Sequence, residues 1–276
     1  MPAEAAAMPS PGALPEPWID PGDALPGAVA RMSTRAGGVG SGRFATMNLR
    51  CPTAAPPRDD VEAVVAQNRA RFAAALAAPP VWLHQVHGAR VVDVGPADAA
   101  PGAPVHEADA AITTATGVAC TVMVADCLPV LFSAARGRAV GAAHAGWRGL
   151  AAGVLEATVD ALCTAAGCRA ADVQAWVGPG IGPEAFEVGA EVLLAFGADP
   201  AAPSPRFRAR PRPDGSARWR ADLAGLAADR LIALGIGGVA IHGACTVEQA
   251  SRFFSFRRDG AGGPTGRMAA GIRRAG

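Results

Sequence analysis

Apolar residues recur along this chain in two rhythms. From residue 81 to residue 142 they come as short Val/Ile/Leu/Phe/Ala runs bounded by Gly, Pro and Asp. That pattern predicts strands over residues 81–84, 90–94, 108–112, 118–124, 129–133 and 138–142, with further strands at 28–33, 173–177 and 239–242. Elsewhere the period lengthens to that of a helix. Asp59 or Asp60 caps a predicted helix running to residue 78, with Val61, Val64, Val65, Phe72 and Leu76 on one face. Asn68 lies near that stripe, where it either fastens a loop or sits at the edge. Leu150, Val154, Leu155, Thr158 and Leu162 mark a second helix that ends at Gly167. Residues 187–196 and 221–234 read as helices too. An apolar strand is expected at 253–256, ahead of clustered guanidiniums.

Between these elements, residues 178–183 form a Gly/Pro loop that either brings backbone close to a ligand or makes a rigid turn. The Pro/Arg-rich stretch 200–215 reads as an exposed, mobile insertion. Residues 1–26 are Ala/Pro-rich and read as a loosely ordered arm. With no repeat and no linker, residues 27–276 are expected to form one catalytic domain of the α+β class with mixed sheets.

Composition narrows the chemistry. Half of the 276 residues are apolar and the formal charge is +1, which argues against a nucleic-acid or membrane-surface binder driven by bulk electrostatics. Every basic side chain is Arg and Tyr is absent, so Schiff-base lysine and phenol chemistry are excluded. No G-x-G-x-x-G follows a strand, against a nicotinamide dehydrogenase. Six cysteines without a C-x-x-C pair do not make a disulfide scaffold. The N-terminal stretch lacks a basic and then apolar signal pattern, and no run reaches the roughly 18 residues of a membrane span. A cytoplasmic protein, monomeric or a small homo-oligomer, is the expectation.

Candidate chemistry gathers where strands give way to turns. His87 precedes Gly88, Cys127 follows Asp126 and precedes a proline, and His144 precedes Ala145 and Gly146. Two imidazoles and a thiolate suit Zn²⁺ with a fourth position open for water or substrate, copper less so. Spacing alone leaves each of these histidines open to an ordinary loop role. His84, three residues before His87, would face the other way along a strand. His106 and His242 read as bystanders, and Cys51, Cys120, Cys163, Cys168 and Cys245 as structural. Asp126 either acts as a general acid/base or braces its turn. Arg148, at the start of a helix, together with Arg35, Arg257 and Arg258, offers fork-like contacts to phosphate; surface ion pairing is the plainer alternative.

Together these stretches resemble the bacterial YfiH/YlmD proteins and the mammalian FAMIN domain, long labelled "laccase domain" or polyphenol oxidase. The resemblance rests on Thr34-Arg35-x-Gly-Gly, Asn48-Leu49, Asn68-Arg69, Gln85-Val-His-Gly, Ala108-Asp-Ala and Ala125-Asp-Cys-x-Pro-Val. It continues through His144-Ala-Gly-Trp-Arg-Gly, Gly178-Pro-x-Ile-Gly, Cys245-Thr, Phe254-Ser-x-Arg-Arg and Thr265-Gly-Arg. It implies a four-layer α/β/β/α fold and a zinc on the residues matching His87, Cys127 and His144. It also implies phosphorolysis of purine nucleosides (adenosine, inosine, guanosine, methylthioadenosine), with adenosine deaminase activity at the same site and Arg35 in it. The chain departs from that pattern at Arg50-Cys51-Pro52. The zinc-deaminase signature H-x-E…P-C-x-x-C is missing, so a deaminase activity here is an independent solution.

Three rivals remain at the level of sequence. A copper polyphenol oxidase needs more histidines than the five present. A metal-free Cys-His hydrolase, the form a peptidoglycan-editing amidase would take, would use Cys127 as nucleophile and His144 as base. A binding protein with a structural metal is the third.

Overall fold

A computed structural model describes residues 16–50, 61–202 and 204–276. Its strands are β1 (Trp18–Ile19), β2 (Ala28–Ser33), β3 (Pro80–Val81), β4 (Val91–Asp93), β5 (Ala110–Thr113), β6 (Ala119–Val124) and β7 (Leu128–Ala134). They continue with β8 (Ala139–Ala145), β9 (Val173–Val177), β10 (Glu187–Val188), β11 (Phe207–Ala209), β12 (Trp219–Ala221), β13 (Gly238–Ile241) and β14 (Met268–Arg274). The helices are α1 (Glu62–Leu76), α2 (Trp147–Ala151), α3 (Val154–Ala166), α4 (Ala190–Ala195), α5 (Leu223–Ala233) and α6 (Phe256–Asp259).

Two mixed sheets face each other between helices. The first has the order β1-β2-β14-β6-β3, the second β13-β9-β7-β8-β5-β4. Met32, Val122, Ala270 and Ile272 of the first pack against Leu131, Val140, Ala142 and Trp176 of the second. On the outer face of the first sheet, Phe72 and Leu76 of α1 cover Ala119 and Ala269. On the outer face of the second, α3 and α5 bring Leu155, Val159, Leu162, Ala227 and Leu231 onto Val130, Phe132 and Ala175. β7 and β8 are buried at every position, as strands covered on both faces must be. The four layers, α/β/β/α, enclose three cores. A small sheet, β10-β12-β11, sits at one end.

Several expectations need correction. Trp18 and Ile19 pair with Ser33 and Met32, so the stretch expected as an arm up to residue 26 joins the first sheet at its C-terminal end. Residues 1–15 lie outside the described residues, as do Asp59, Asp60 and Cys51. Residues 187–196 are not one helix: Gly189 is extended, with β10 before it and α4 after it. Residues 150–162 divide at Gly153, whose φ of +92° ends α2 and starts α3. Part of the insertion at 200–215 is ordered as β11, because Phe207 is buried in the core formed by the second sheet with α3 and α5. Residues 253–256 are not a strand. Phe253 and Phe254 are buried loop residues, Ser255 caps α6, and the strand lies beyond them as β14. Asn68 fastens a loop, accepting from the Val39 amide and donating to the Thr46 and Asn48 carbonyls.

Candidate metal centre

Strand order brings the three ligand candidates to one sheet edge. β7 and β8 are antiparallel with Leu128 opposite Ala145, so Cys127, just before β7, lies beside the end of β8 where His144 stands. β5 flanks β8 on the other side with Ala110 opposite Ala143, which sets Asp109 beside His144. The 84–88 loop runs along Glu107–Asp109, with His84 and Glu107 forming a parallel bridge. Gln85 ties that loop to the end of β6, donating to the Met123 carbonyl and accepting from the Met123 amide, each at 2.8 Å.

The outcome is one cluster. Donor atoms of His87, Cys127 and His144 lie within 4.8 Å of one another. Cys127 Sγ is 3.8 Å from His87 Nε2, and the two imidazoles meet edge to face at 4.7 Å between centroids. His144 is buried, Cys127 half-buried and His87 exposed. His87 and Asp126 both have positive φ, +63° and +86°, backbone that non-glycine residues adopt only when their surroundings impose it.

Asp109 imposes it on the first loop. Its carboxylate accepts from the amides of Val86 (3.1 Å), His87 (2.9 Å) and Gly88 (2.7 Å). It also accepts from His144 Nδ1 at 2.8 Å. An ionised carboxylate only accepts, so Nδ1 carries a proton, and Nε2 is the nitrogen that would bind an ion by giving up its own proton. Burial pushes the Asp109 carboxyl up, but His144 and the loop amides outweigh it and hold it below its ordinary range. Burial also pushes the Cys127 thiol up, yet His144 and His87 outweigh that and bring it down to about 6. For His144, burial pushes down while Cys127 and Asp109 push up, and the ring ends at about 9. Between those values the pair is a thiolate and an imidazolium.

This donor set fits a divalent ion. Tetrahedral bonds of about 2.3 Å to sulfur and about 2.0 Å to nitrogen put the two donors about 3.5 Å apart, close to the Cys127–His87 separation. Gly146 leaves room for that closeness: a Cβ there would meet Cys127 Sγ at 2.8 Å and His87 Cδ2 at 3.0 Å.

Asp126 braces the second turn. Thr246 Oγ1 (2.6 Å), Ser255 Oγ (3.1 Å) and the Arg257 amide (2.6 Å) all donate to its carboxylate. The 178–183 loop is a rigid turn against it, with the Ile181 amide on the Asp126 carbonyl and Gly180 against Leu128. Arg258 is a clamp. Nη1 donates to the Thr246 and Val247 carbonyls, Nη2 to the Phe253 carbonyl and Asp259, and Nε to Asp259. All five donors of Arg258, expected to contact phosphate, are engaged within the protein. Arg35 folds inward over the Phe254 ring at 4.7 Å and donates to the Ala45 and Ala250 carbonyls. Burial first, then Arg258, lowers its pKa.

Arg148 and Arg257 face a cleft of about 660 Å³ that begins at Trp147, three residues after His144. The guanidinium of Arg148 lies over Trp147 at 4.3 Å, and Arg257 donates to the Glu187 carbonyl at 3.1 Å. His84 pairs loosely with Glu107, His106 bonds Asp98, and His242 packs on Trp176. Asp109 is the residue that sequence reasoning missed, although Ala108-Asp-Ala stood among the stretches carrying the resemblance. No helix among the described residues is long and apolar enough to cross a membrane.

Comparison with known proteins supplies the relationship. The family described as multi-copper polyphenol oxidoreductase laccase matches residues 29–275. A purine nucleoside phosphorylase of Pseudomonas aeruginosa is 44% identical over 253 residues, covering 91% of this chain and 96% of that protein. The purine nucleoside phosphorylase YfiH of Escherichia coli is 43% identical over 250 residues, covering 89% and 93%. YlmD of Geobacillus stearothermophilus superposes with a TM-score of 0.81 at 32% identity, over 94% of this chain and 96% of that one. A Neisseria meningitidis protein superposes with a TM-score of 0.80 at 38% identity, over 95% and 100%. With the match spanning nearly the whole domain, the chain belongs to the YfiH/YlmD family of laccase-domain proteins.

Proposed function

We propose that this protein phosphorolyses purine nucleosides (adenosine, inosine, guanosine, methylthioadenosine) and deaminates adenosine, using a zinc ion on His87, Cys127 and His144. The observation that carries the reading is the three-donor cluster, with His144 oriented by Asp109, at the edge of a cationic cleft. The names of the relatives add the substrate class.

Breaking an N-glycosidic bond develops positive charge on the ribose and negative charge on the departing base. His87, Cys127 and His144 would hold a zinc ion, which would supply a Lewis acid for that negative charge and for deamination of the purine ring. Asp109 keeps the proton of His144 on Nδ1, away from the centre. Arg148 and Arg257 meet phosphate at the cleft mouth; neither has a carboxylate partner among the described residues. Asp126 and Arg35 enter as positioning residues. Asp126 holds the Cys127 turn, and Arg35 binds the 45 and 250 loops around Phe254, the neighbour of Ser255.

The test is incubation of zinc-loaded protein with adenosine, inosine and guanosine, with and without phosphate. Free base with ribose 1-phosphate only when phosphate is present, and inosine from adenosine without it, is the expected result. Base release indifferent to phosphate, or no turnover at all, would overturn the reading.

A second reading rests on the lowered Cys127 thiol beside His144, the pairing of a thiol hydrolase. Alkylation of Cys127 that abolishes activity without loss of metal would favour it. The copper named in the family description suits the same donor set. However, His84, His106 and His242 are engaged elsewhere, leaving two imidazoles for one ion rather than ligands for several. Metal analysis separates the two.

A further inference from the structure

The Arg-rich hairpin between β10 and α5 has no part in the reaction proposed above. Arg206, Arg208, Arg210, Arg212, Arg218 and Arg220 alternate along it. The last three turn into the cleft beside the metal centre, together with Arg148 and Arg257. Against these five arginines the cleft wall offers only Glu187 and Glu191, a surplus of three positive charges. Glu187 is shared three ways. It takes Arg212 at 2.5 Å and lies 3.9 Å from Arg218 and 3.8 Å from Arg220. One carboxylate cannot neutralise three guanidiniums, and Arg220 Nε is buried with no hydrogen-bond partner. Like charges held this close are costly unless an anion completes the site.

Size and walls narrow the anion. A volume of about 660 Å³ is that of a small-molecule site, not of a groove that tracks a polymer. Trp147 and Phe186 line it as well, with Arg148 and Arg257 above their rings. Aromatic rings with neighbouring guanidiniums are the surfaces on which bases stack. A diphosphate monoester carries about three negative charges near neutral pH, matching the surplus, and its oxygens suit guanidinium forks.

We propose that this cleft binds a nucleoside 5′-diphosphate, its phosphates on Arg212, Arg218 and Arg220 and its base against Trp147 or Phe186. The site overlaps the proposed phosphate residues at Arg148 and Arg257, but it rests on the hairpin arginines and needs neither zinc nor turnover.

Titration calorimetry of chelator-treated and zinc-loaded protein with ADP, pyrophosphate and adenosine tests it. ADP is expected to bind equally well in both metal states and to weaken as salt rises. The double variant R212A/R218A should lose at least about tenfold in affinity, and R212K/R218K should recover part of it. Pyrophosphate should bind more weakly than ADP, and adenosine far more weakly. No ADP binding, or ADP binding unchanged in the folded double alanine variant, would overturn the proposal. Pyrophosphate binding as tight as ADP would overturn its aromatic half. Absence of turnover in the unaltered protein would sink the reaction proposed above and leave ADP binding standing.

Discussion

Two turns carry His87 and Cys127 on this sheet edge, and each is built around a buried aspartate. Asp109 gathers three successive amides of the 86–88 loop, and Asp126 gathers two hydroxyls and one amide. The difference is the fourth donor on Asp109, the His144 ring. Asp126 has no ligand among its donors and ties its own turn to the 246 and 255–257 segments, fixing where Cys127 begins. Asp109 does the same for His87 and also selects the tautomer of a second ligand. A buried carboxylate beside a reactive group is therefore not an acid/base group by proximity; its donors show what it positions.

Truncating the two aspartates should separate them. Asp109→Ala leaves three amides and a buried imidazole without their acceptor, so it should cost about 3 kcal/mol or more in urea unfolding and abolish zinc binding. Asp126→Asn keeps one acceptor oxygen and should cost about 1–2 kcal/mol with zinc stoichiometry intact. Equal loss of zinc in both variants would erase the distinction.

Gly146→Ala tests how tightly the turns close. A methyl group there meets Cys127 Sγ and His87, so zinc affinity should drop at least about tenfold, with about 1–2 kcal/mol lost in stability. Unchanged affinity would mean that the ligands have slack.

In the metal-free protein the Cys127–His144 ion pair sharpens the comparison further. Cys127 is lowered, so its contribution is lost as pH falls through about 6; His144 is raised, so its contribution is lost as pH rises through about 9. Thiolate ultraviolet absorbance, absent in Cys127→Ser, should therefore appear as pH rises through about 6. Asp109→Asn should move that midpoint up, whereas Asp126→Asn should leave it in place.

The smallest effect concerns the arginines. Arg148→Gln should change stability by no more than about 0.5 kcal/mol, the range of exposed substitutions, while raising KM for phosphate. Arg258→Met, which strips three carbonyls and a carboxylate of a partner, should lower stability and leave KM where it was.

Much of this was legible in the chain. The ligand triad could be named because each member follows or precedes a small residue or proline at a strand end, and the resemblance supplied their meeting in space. Most strands, and the helical faces of α1 and α3, followed from periodicity, while the pairing of two sheets in four layers came with the resemblance. What escaped has a common physical cause. Asp109 sits between alanines, in a pattern that says buried strand and gives no hint that four donors converge there. Gly189 and Gly153 break helices whose apolar spacing continues past them. Phe207 fixes β11 through a long-range contact, so its Pro/Arg neighbours read as solvent-exposed chain. Arg258 reads as a free cation because carbonyl partners leave no trace in sequence.

The most direct test of the metal centre is X-ray absorption at the zinc edge, with metal content by mass spectrometry, on the unaltered protein and on Cys127→Ser. One zinc per chain with one sulfur at about 2.3 Å and two imidazole nitrogens at about 2.0 Å, the sulfur signal gone in the variant, is the predicted result. A sulfur-free shell, or a full complement of zinc bound unchanged in Cys127→Ser, would contradict it.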